Sequence, residues 1–426
     1  MSRHRGSVTP LLIGTFILRI NGAAASIILG RFLAQLALAH GHPISNIHVG
    51  LIAVAYYAVE LSLAPFMGAI SDRIGRRFFL IVGPIVGLIQ VALIVFTPNE
   101  RAFPYLLSLQ VLAGISSAMQ IPAVLGYLAD YTVESQALRM RVMSFYELAT
   151  SGGLAAGVIV GGFAWDRFGR FAFGWLALGY LVVAFCMFQV PKVKQVIERG
   201  ELSSIVDRYW RVVRTPRLFI FIPAWISITA LIGIWIGPQL TFILSSNRRN
   251  PHQLLMGSLS AHGGGGHLSL VLGAIVLFFG LCLLFWAFFL NRAPRLLLML
   301  SSITGVYLAC IALAGINHFG ASSIPLLVIW VALLAVGIFA ESSFAPAALA
   351  YLADVSEDAA RDRGLLMGLY SVFLGLGQLL GNGLGGVFAQ FRGFDGLIYL
   401  TALLAFVALI SLLLLFRHEK RIAAIE

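Results

Sequence analysis

Charge is what this chain has least of. Only 11% of its 426 residues are Asp, Glu, Lys or Arg, while 59% are hydrophobic, and a soluble domain carries roughly 25% charged residues. A soluble core of this size has no room for that much apolar surface, so the composition implies lipid as the solvent. Cysteine is nearly as scarce. Cys186, Cys282 and Cys310 stand singly in apolar runs, with no CxxC spacing and no paired framework, so they read as packing residues rather than zinc ligands or disulfides. No Walker sequence, nucleophile motif or His/Asp/Glu cluster at catalytic spacing is present. The glycines around Gly375 to Gly381 follow no strand and are no nucleotide finger. Neither an enzyme nor an ATP-driven pump is therefore expected, and no cofactor.

What the chain has in quantity is long apolar runs. Crossing the hydrocarbon takes about 20 helical residues. Suitable runs lie near 10–37, 46–70, 78–97, 103–129, 142–164 and 171–190. After a polar interval, others follow near 217–244, 268–290, 295–317, 323–352, 364–390 and 395–416. The expected fold is all-α and integral to a membrane. Twelve spans form an N-terminal six-helix bundle (1–191), a linker (192–216) and a C-terminal six-helix bundle (217–426). Arg3, Arg5 and the run Leu11 to Leu18 imitate a signal peptide. Arg19 interrupts that run and apolar sequence resumes to Leu38, so the segment reads as the first span rather than a cleaved leader.

The net charge of +11 does not point to nucleic acid, because the cations sit in short connections instead of covering one face. Their placement is informative in another way. With the N-terminus inside, the connections on that side hold 21 of the 29 Lys and Arg, and the opposite connections hold six. This bias predicts both termini in the cytoplasm of a cell-membrane protein.

The two sets of spans are related. Pro122-Ala-Val-Leu-Gly-Tyr-Leu-Ala-Asp130 reappears 224 residues later as Pro346-Ala-Ala-Leu-Ala-Tyr-Leu-Ala-Asp354, and 14 of the 41 positions in 122–162 are identical at that offset. Arg139, Met143 and Tyr146 meet Arg363, Met367 and Tyr370; Gly153, Gly157, Gly161 and Gly162 meet Gly377, Gly381, Gly385 and Gly386. An even number of spans separates the copies, so they are parallel repeats, and the substrate path is expected between the halves. Asp72-Arg-Ile-Gly-Arg76 finds a degraded echo in Asn291-Arg-Ala-Pro-Arg295.

With these motifs the chain resembles the major facilitator superfamily. The segment Gly68-Ala-Ile-Ser-Asp72-Arg73-Ile-Gly75-Arg76-Arg77 matches the signature of its loop between helices two and three. The spaced glycines are similar to those of its drug/proton antiporter-like members, although Val158 and Asn382 stand where a proline would be. The resemblance implies a conformational latch. Asp72 would dock near the start of helix eleven, around Arg363, and Arg76 would link it to Asp130. The alternative is that Arg73, Arg76 and Arg77 only fix topology. For the glycines, close and sliding helix contact and plain packing are both compatible readings. Gln110, ahead of Gly114, replaces an Arg that relatives often carry on helix four.

Charges inside spans default to function because they are costly there. Arg19, Glu60 and Glu341 fall in one layer roughly 13–17 Å from the basic edge at 1.5 Å per residue. Glu341 is the expected proton-carrying acid, Glu60 the second candidate, and Arg19 a counter-ion or anion anchor. A static Arg19–Glu60 ion pair is the competing reading. Glu147 reads as an interface residue. Asn21, Gln120, Gln239 and Gln378 are candidate polar contacts of the cavity. His252, His262 and His267, beside four glycines, read as part of a flexible solvated connection in preference to a metal site.

The expected function is alternating-access transport of a small, amphipathic or drug-like molecule by a monomer surrounded by membrane lipid, with protons as the coupled ion and efflux as the direction. Rival readings are an uptake or lipid-translocating carrier and a non-transporting receptor or scaffold.

Overall fold

The computed structural model describes residues 7–39, 44–132, 136–191, 214–246, 252–261, 265–289, 294–320, 322–357 and 363–423. Every regular element among them is helical: α1 (Thr9–Ala39), α2 (Asn46–Ile74), α3 (Arg76–Ile94), α4 (Ala102–Tyr131), α5 (Gln136–Phe168), α6 (Ala172–Phe188), α7 (Pro216–Ile236), α8 (Pro238–Ser245), α9 (Ser258–Ala261), α10 (Gly265–Phe289), α11 (Arg295–Phe319), α12 (Ile324–Glu341), α13 (Phe344–Glu357), α14 (Arg363–Arg392) and α15 (Phe394–Ala423). Eleven stretches are long and apolar enough to cross a membrane, and one of them, Arg141–Phe188, holds both α5 and α6 around a single 3-10 turn. The protein therefore has twelve spans and is a multi-pass membrane protein. The linker expected at 192–216 lies outside the described residues up to position 213.

Local chemistry sets the helix ends. Ser45 caps α2 by accepting from the His48 N–H, and the His48 ring accepts from the Ser45 N–H in return. Ser323 caps α12 through the Leu326 N–H. Gly75, at φ +122°, lets α2 turn directly into α3. Gly169 (φ +53°) and Gly393 (φ +60°) make the turns after α5 and α14. They are separated by the same 224 residues, so the repeat extends beyond the helices that first reveal it.

The chain divides into two compact units: Met1–Glu198 with Ser245–Asn247 and Leu259–Leu277, and Arg199–Leu244 with Arg248–Ser258 and Phe278–Glu426. In unit 1, α1 lies along α5, α2 along α4, and α3 against α4 and α6; in unit 2, α7 lies along α14 and α15, and α11 along α12 and α15. Glycine makes the repeated contact. A Cβ on Gly157 would come within 2.5 Å of the Ile20 carbonyl of α1, and one on Gly381 within 2.0 Å of the Ala230 carbonyl of α7. Gly153 and Gly161 also face α1 at such distances and Gly377 faces α7. Gly385 has room for a methyl group, its nearest neighbours being 3.8 Å and 3.9 Å away. Gly162 offers its carbonyl to Arg31, and Gly386 is buried. In a lipid solvent, such backbone contact replaces the hydrophobic drive between helices.

Two spans expected to be continuous are broken. Span seven divides at Gly237, whose backbone is extended (ψ 169°). Pro238 has no N–H for the Ile234 carbonyl, so the helix cannot run through. Span ten divides at Ser342 and Ser343, directly after Glu341. The Ser342 N–H still bonds the Ile338 carbonyl at 3.0 Å, the Ser343 N–H turns to the Ala340 carbonyl at 3.2 Å, and Pro346 removes the donor for the Ser342 carbonyl.

Candidate functional site

The polar residues of unit 1 gather where α1, α2, α4 and α5 meet. Tyr56 and Tyr57 of α2 pack edge to face with ring centroids 4.8 Å apart. The Tyr56 hydroxyl donates to Ser117 Oγ of α4 at 2.9 Å. Glu60, one turn beyond Tyr56, lies near both hydroxyls. Gly114 permits this closeness, since a Cβ there would lie 2.6 Å from the Tyr56 carbonyl. Arg19 of α1 is half-buried and lies near Tyr146 of α5 and Glu60 of α2. Among the described residues no ion pair joins Arg19 to Glu60, and Arg19 Nε is unpartnered. Glu147 is exposed and near enough for its charge to act with that of Arg19. Tyr56, Tyr57, Ser117 and Tyr146 are members of the cluster that charge counting passed over. Tyrosine and serine in a span look like ordinary packing residues until a neighbouring helix places a carboxylate beside them.

Glu341 has a different setting. It is the last residue of α12, half-buried, at the break in span ten. Its backbone is pressed against α11, because a Cβ on Gly305 would come 2.6 Å from the Glu341 nitrogen. Among the described residues its carboxylate has neither an ion pair nor a hydrogen bond. The 224-residue offset places Glu341 on Ser117. The two repeats thus put different polar groups at one position: a hydroxyl that serves Glu60 in unit 1, and the acid itself in unit 2.

The remaining polar candidates sit at helix contacts. Asn21 is buried and donates to the Leu176 carbonyl of α6 at 3.2 Å. Gln120 is buried against Gly83 of α3 and donates to Ser116 Oγ at 2.8 Å, while Ser116 donates on to the Gly83 carbonyl at 2.7 Å. Gln239 is buried in α8. Gln378 presents its carbonyl to Asn382 Nδ2 at 2.9 Å, and Asn382 in turn packs on Gly233 and Gly237 at the break of span seven.

At the basic end of unit 1, Arg76 pairs with Asp72 and Asp130, both at 2.9 Å. It reaches Asp130 by lying across Gly126, where a Cβ would stand 1.1 Å from Nη1. A Cβ on Gly68 would meet the Pro122 Cβ of α4 at 3.4 Å. Arg77 donates to the Phe188 carbonyl and lies over the Phe188 ring, and Arg73 is exposed. In unit 2, Arg295 donates to the carbonyl of Ala350, the counterpart of Gly126, at 3.1 Å. The side chains of Arg363 and Asp354, and all of Asn291, lie outside the described residues.

The connection carrying the histidines departs from its expectation where it is described. Residues 252–258 belong to unit 2, where Gln253, 7% exposed, is held by Arg392, Phe394 and Asp395 while Leu254 stays exposed. His252 is exposed; His262 and the side chain of His267 lie outside the described residues.

A family model described as Major Facilitator Superfamily matches residues 11–266 and 253–425. The chain is 24% identical over 181 residues to the quinolone resistance protein NorA of Staphylococcus aureus (strain MRSA252), a match covering 41% of this chain and 45% of the relative. It is 27% identical over 162 residues to multidrug resistance protein 2 of Bacillus subtilis (strain 168), covering 38% and 39%. These matches span less than half of each relative. Among solved structures, the chain is similar to a point mutant of the nucleoside transporter NupG (TM-score 0.74, 12% identity, 96% of this chain and 98% of that one). It is also similar to the xylose transporter XylE of E. coli (TM-score 0.65, 13% identity, 96% of each).

Proposed function

The chain belongs to the major facilitator superfamily, and on that premise we propose that it is a secondary transporter that expels small amphipathic compounds in exchange for protons. The observation that carries this reading is Glu341. A carboxylate inside an apolar span, at a helix break and, among the described residues, with no cation holding it, can bind and release a proton without first breaking an ion pair. The names of the relatives, a quinolone resistance protein and a multidrug resistance protein, support drug-like substrates and the outward direction. The tyrosine-rich cluster around Glu60 supports an aromatic, amphipathic substrate, because ring faces and a carboxylate together suit an apolar body with a polar or cationic group.

In this reading Glu341 carries the proton, Glu60 is the second acid, and Arg19 orients the cluster. The set of Asp72, Arg76 and Asp130 steadies one of the two alternating-access states. The charge bias of the connections supports a cell-membrane location with both termini cytoplasmic, and a lipid-embedded monomer suffices because both repeats lie on one chain. The reading is tested with purified protein in proteoliposomes under an imposed pH gradient, using ethidium as the probe. Gradient-driven accumulation is expected; binding without movement, with or without the gradient, would favour a receptor.

A further inference from the structure

Half-helix α8 is built differently from the other spanning helices. Every residue from Pro238 to Leu244 is buried, and one end of it is the break at Gly237. A short, wholly buried element beside an extended glycine and a proline has the form of a hinged piece, since a few residues at an element's end absorb the angular change. Its other end is tied down. The Ile243 carbonyl accepts from the Gly257 N–H at 3.1 Å, which joins α8 to the docked connection at 252–257.

That connection is in turn fixed by one carboxylate. Asp395, in the first turn of α15, accepts from Asn317 Nδ2 at 2.8 Å and from Gln253 Nε2 at 3.1 Å, and meets His318 Nε2 at 3.0 and 3.1 Å. Asn317, fully buried, passes the hold to the backbone: its carbonyl accepts from Leu254 N–H at 2.8 Å and its Oδ1 from Leu255 N–H at 3.0 Å. Gln253 adds a donated bond to the Arg392 carbonyl (2.9 Å) and accepts from Phe394 N–H (3.0 Å). Gly393 makes room, since a Cβ there would stand 2.8 Å from Gln253 Oε1. Polar networks satisfied at this density fix one arrangement of the groups they join.

We propose that residues 252–257 form a clasp, with Asp395 as its hub, that holds half-helix α8 in place and governs its swing about Gly237. The proposal rests on neither the substrate nor proton coupling. Its test is amide hydrogen exchange on the full chain in lipid nanodiscs, read at Leu254, Leu255 and Gly257 and separately at Leu240 to Leu244. Asp395→Ala is expected to speed exchange at both sets at least tenfold. His318→Gln, at a side chain 34% exposed, keeps the fold and is expected to speed both sets by a smaller factor; if Asp395→Ala does not fold, this variant decides. Unchanged exchange at the clasp amides would overturn the proposal. So would faster exchange there with α8 unaffected.

Discussion

Arg76 reaches Asp130, 2.9 Å away, across the bare face of Gly126. Both partners are nearly buried, with side chains 14% and 8% exposed. The pair therefore depends on a residue that takes no part in it. Gly126→Val puts carbon where the guanidinium lies and should expel Arg76, breaking its pair with Asp130. Breaking a buried pair in this way costs about 3–5 kcal/mol. A large fall in thermal stability in detergent is expected, and a Gly126→Val variant as stable as the parent would show that the pair holds nothing.

Gly75 tests the turn that delivers Arg76. At φ +122° an L side chain is strained, by about 1–3 kcal/mol. Gly75→Ala should lower the melting temperature by a few degrees, and Gly68→Ala, whose added carbon would meet Pro122 at an ordinary 3.4 Å, should lower it less.

The glycines of α14 divide by the same reasoning. A methyl group at Gly381 would lie 2.0 Å from a backbone oxygen, whereas at Gly385 its nearest neighbours are 3.8 Å and 3.9 Å away. Gly381→Ala is expected to separate α14 from α7 and to reduce folded yield severely. Gly385→Ala should be nearly silent in the same expression and size-exclusion assay. Equal effects would mean that spacing, rather than backbone contact, is what the motif supplies.

Most of the fold was legible because span length, charge bias and repetition are all written in one dimension. The predicted spans differ from the helices by up to about seven residues at their ends, and the pairing of Arg76 with Asp130 was implied by the family resemblance. What escaped depends on neighbours distant in sequence. Gly126 looks like one more small residue until Arg76 lies on it, and Ala350 at the same place in the repeat was the available signal. Ser342 and Ser343 are ordinary in an apolar run, and the break beside Glu341 shows only in the structure. The histidine connection looked solvated because glycines flank it; its anchors, Asn317 and Asp395, lie some 60 to 140 positions farther along the chain.

Tyr56 and Ser117 offer a test of how Glu60 is held. Tyr56→Phe and Ser117→Ala each remove a hydroxyl from the same three-group cluster. In a double-mutant cycle on ethidium affinity the two should be non-additive, coupled by about 0.5–1.5 kcal/mol as for one hydrogen bond. Strict additivity would mean that the two hydroxyls act separately.

Whether Glu341 carries the coupled proton is decided by Glu341→Gln in proteoliposomes with an imposed pH gradient. Gradient-driven ethidium accumulation is expected to be lost while exchange of ethidium down its own gradient continues. Accumulation driven by the pH gradient at the parental rate in the Gln variant would contradict that role.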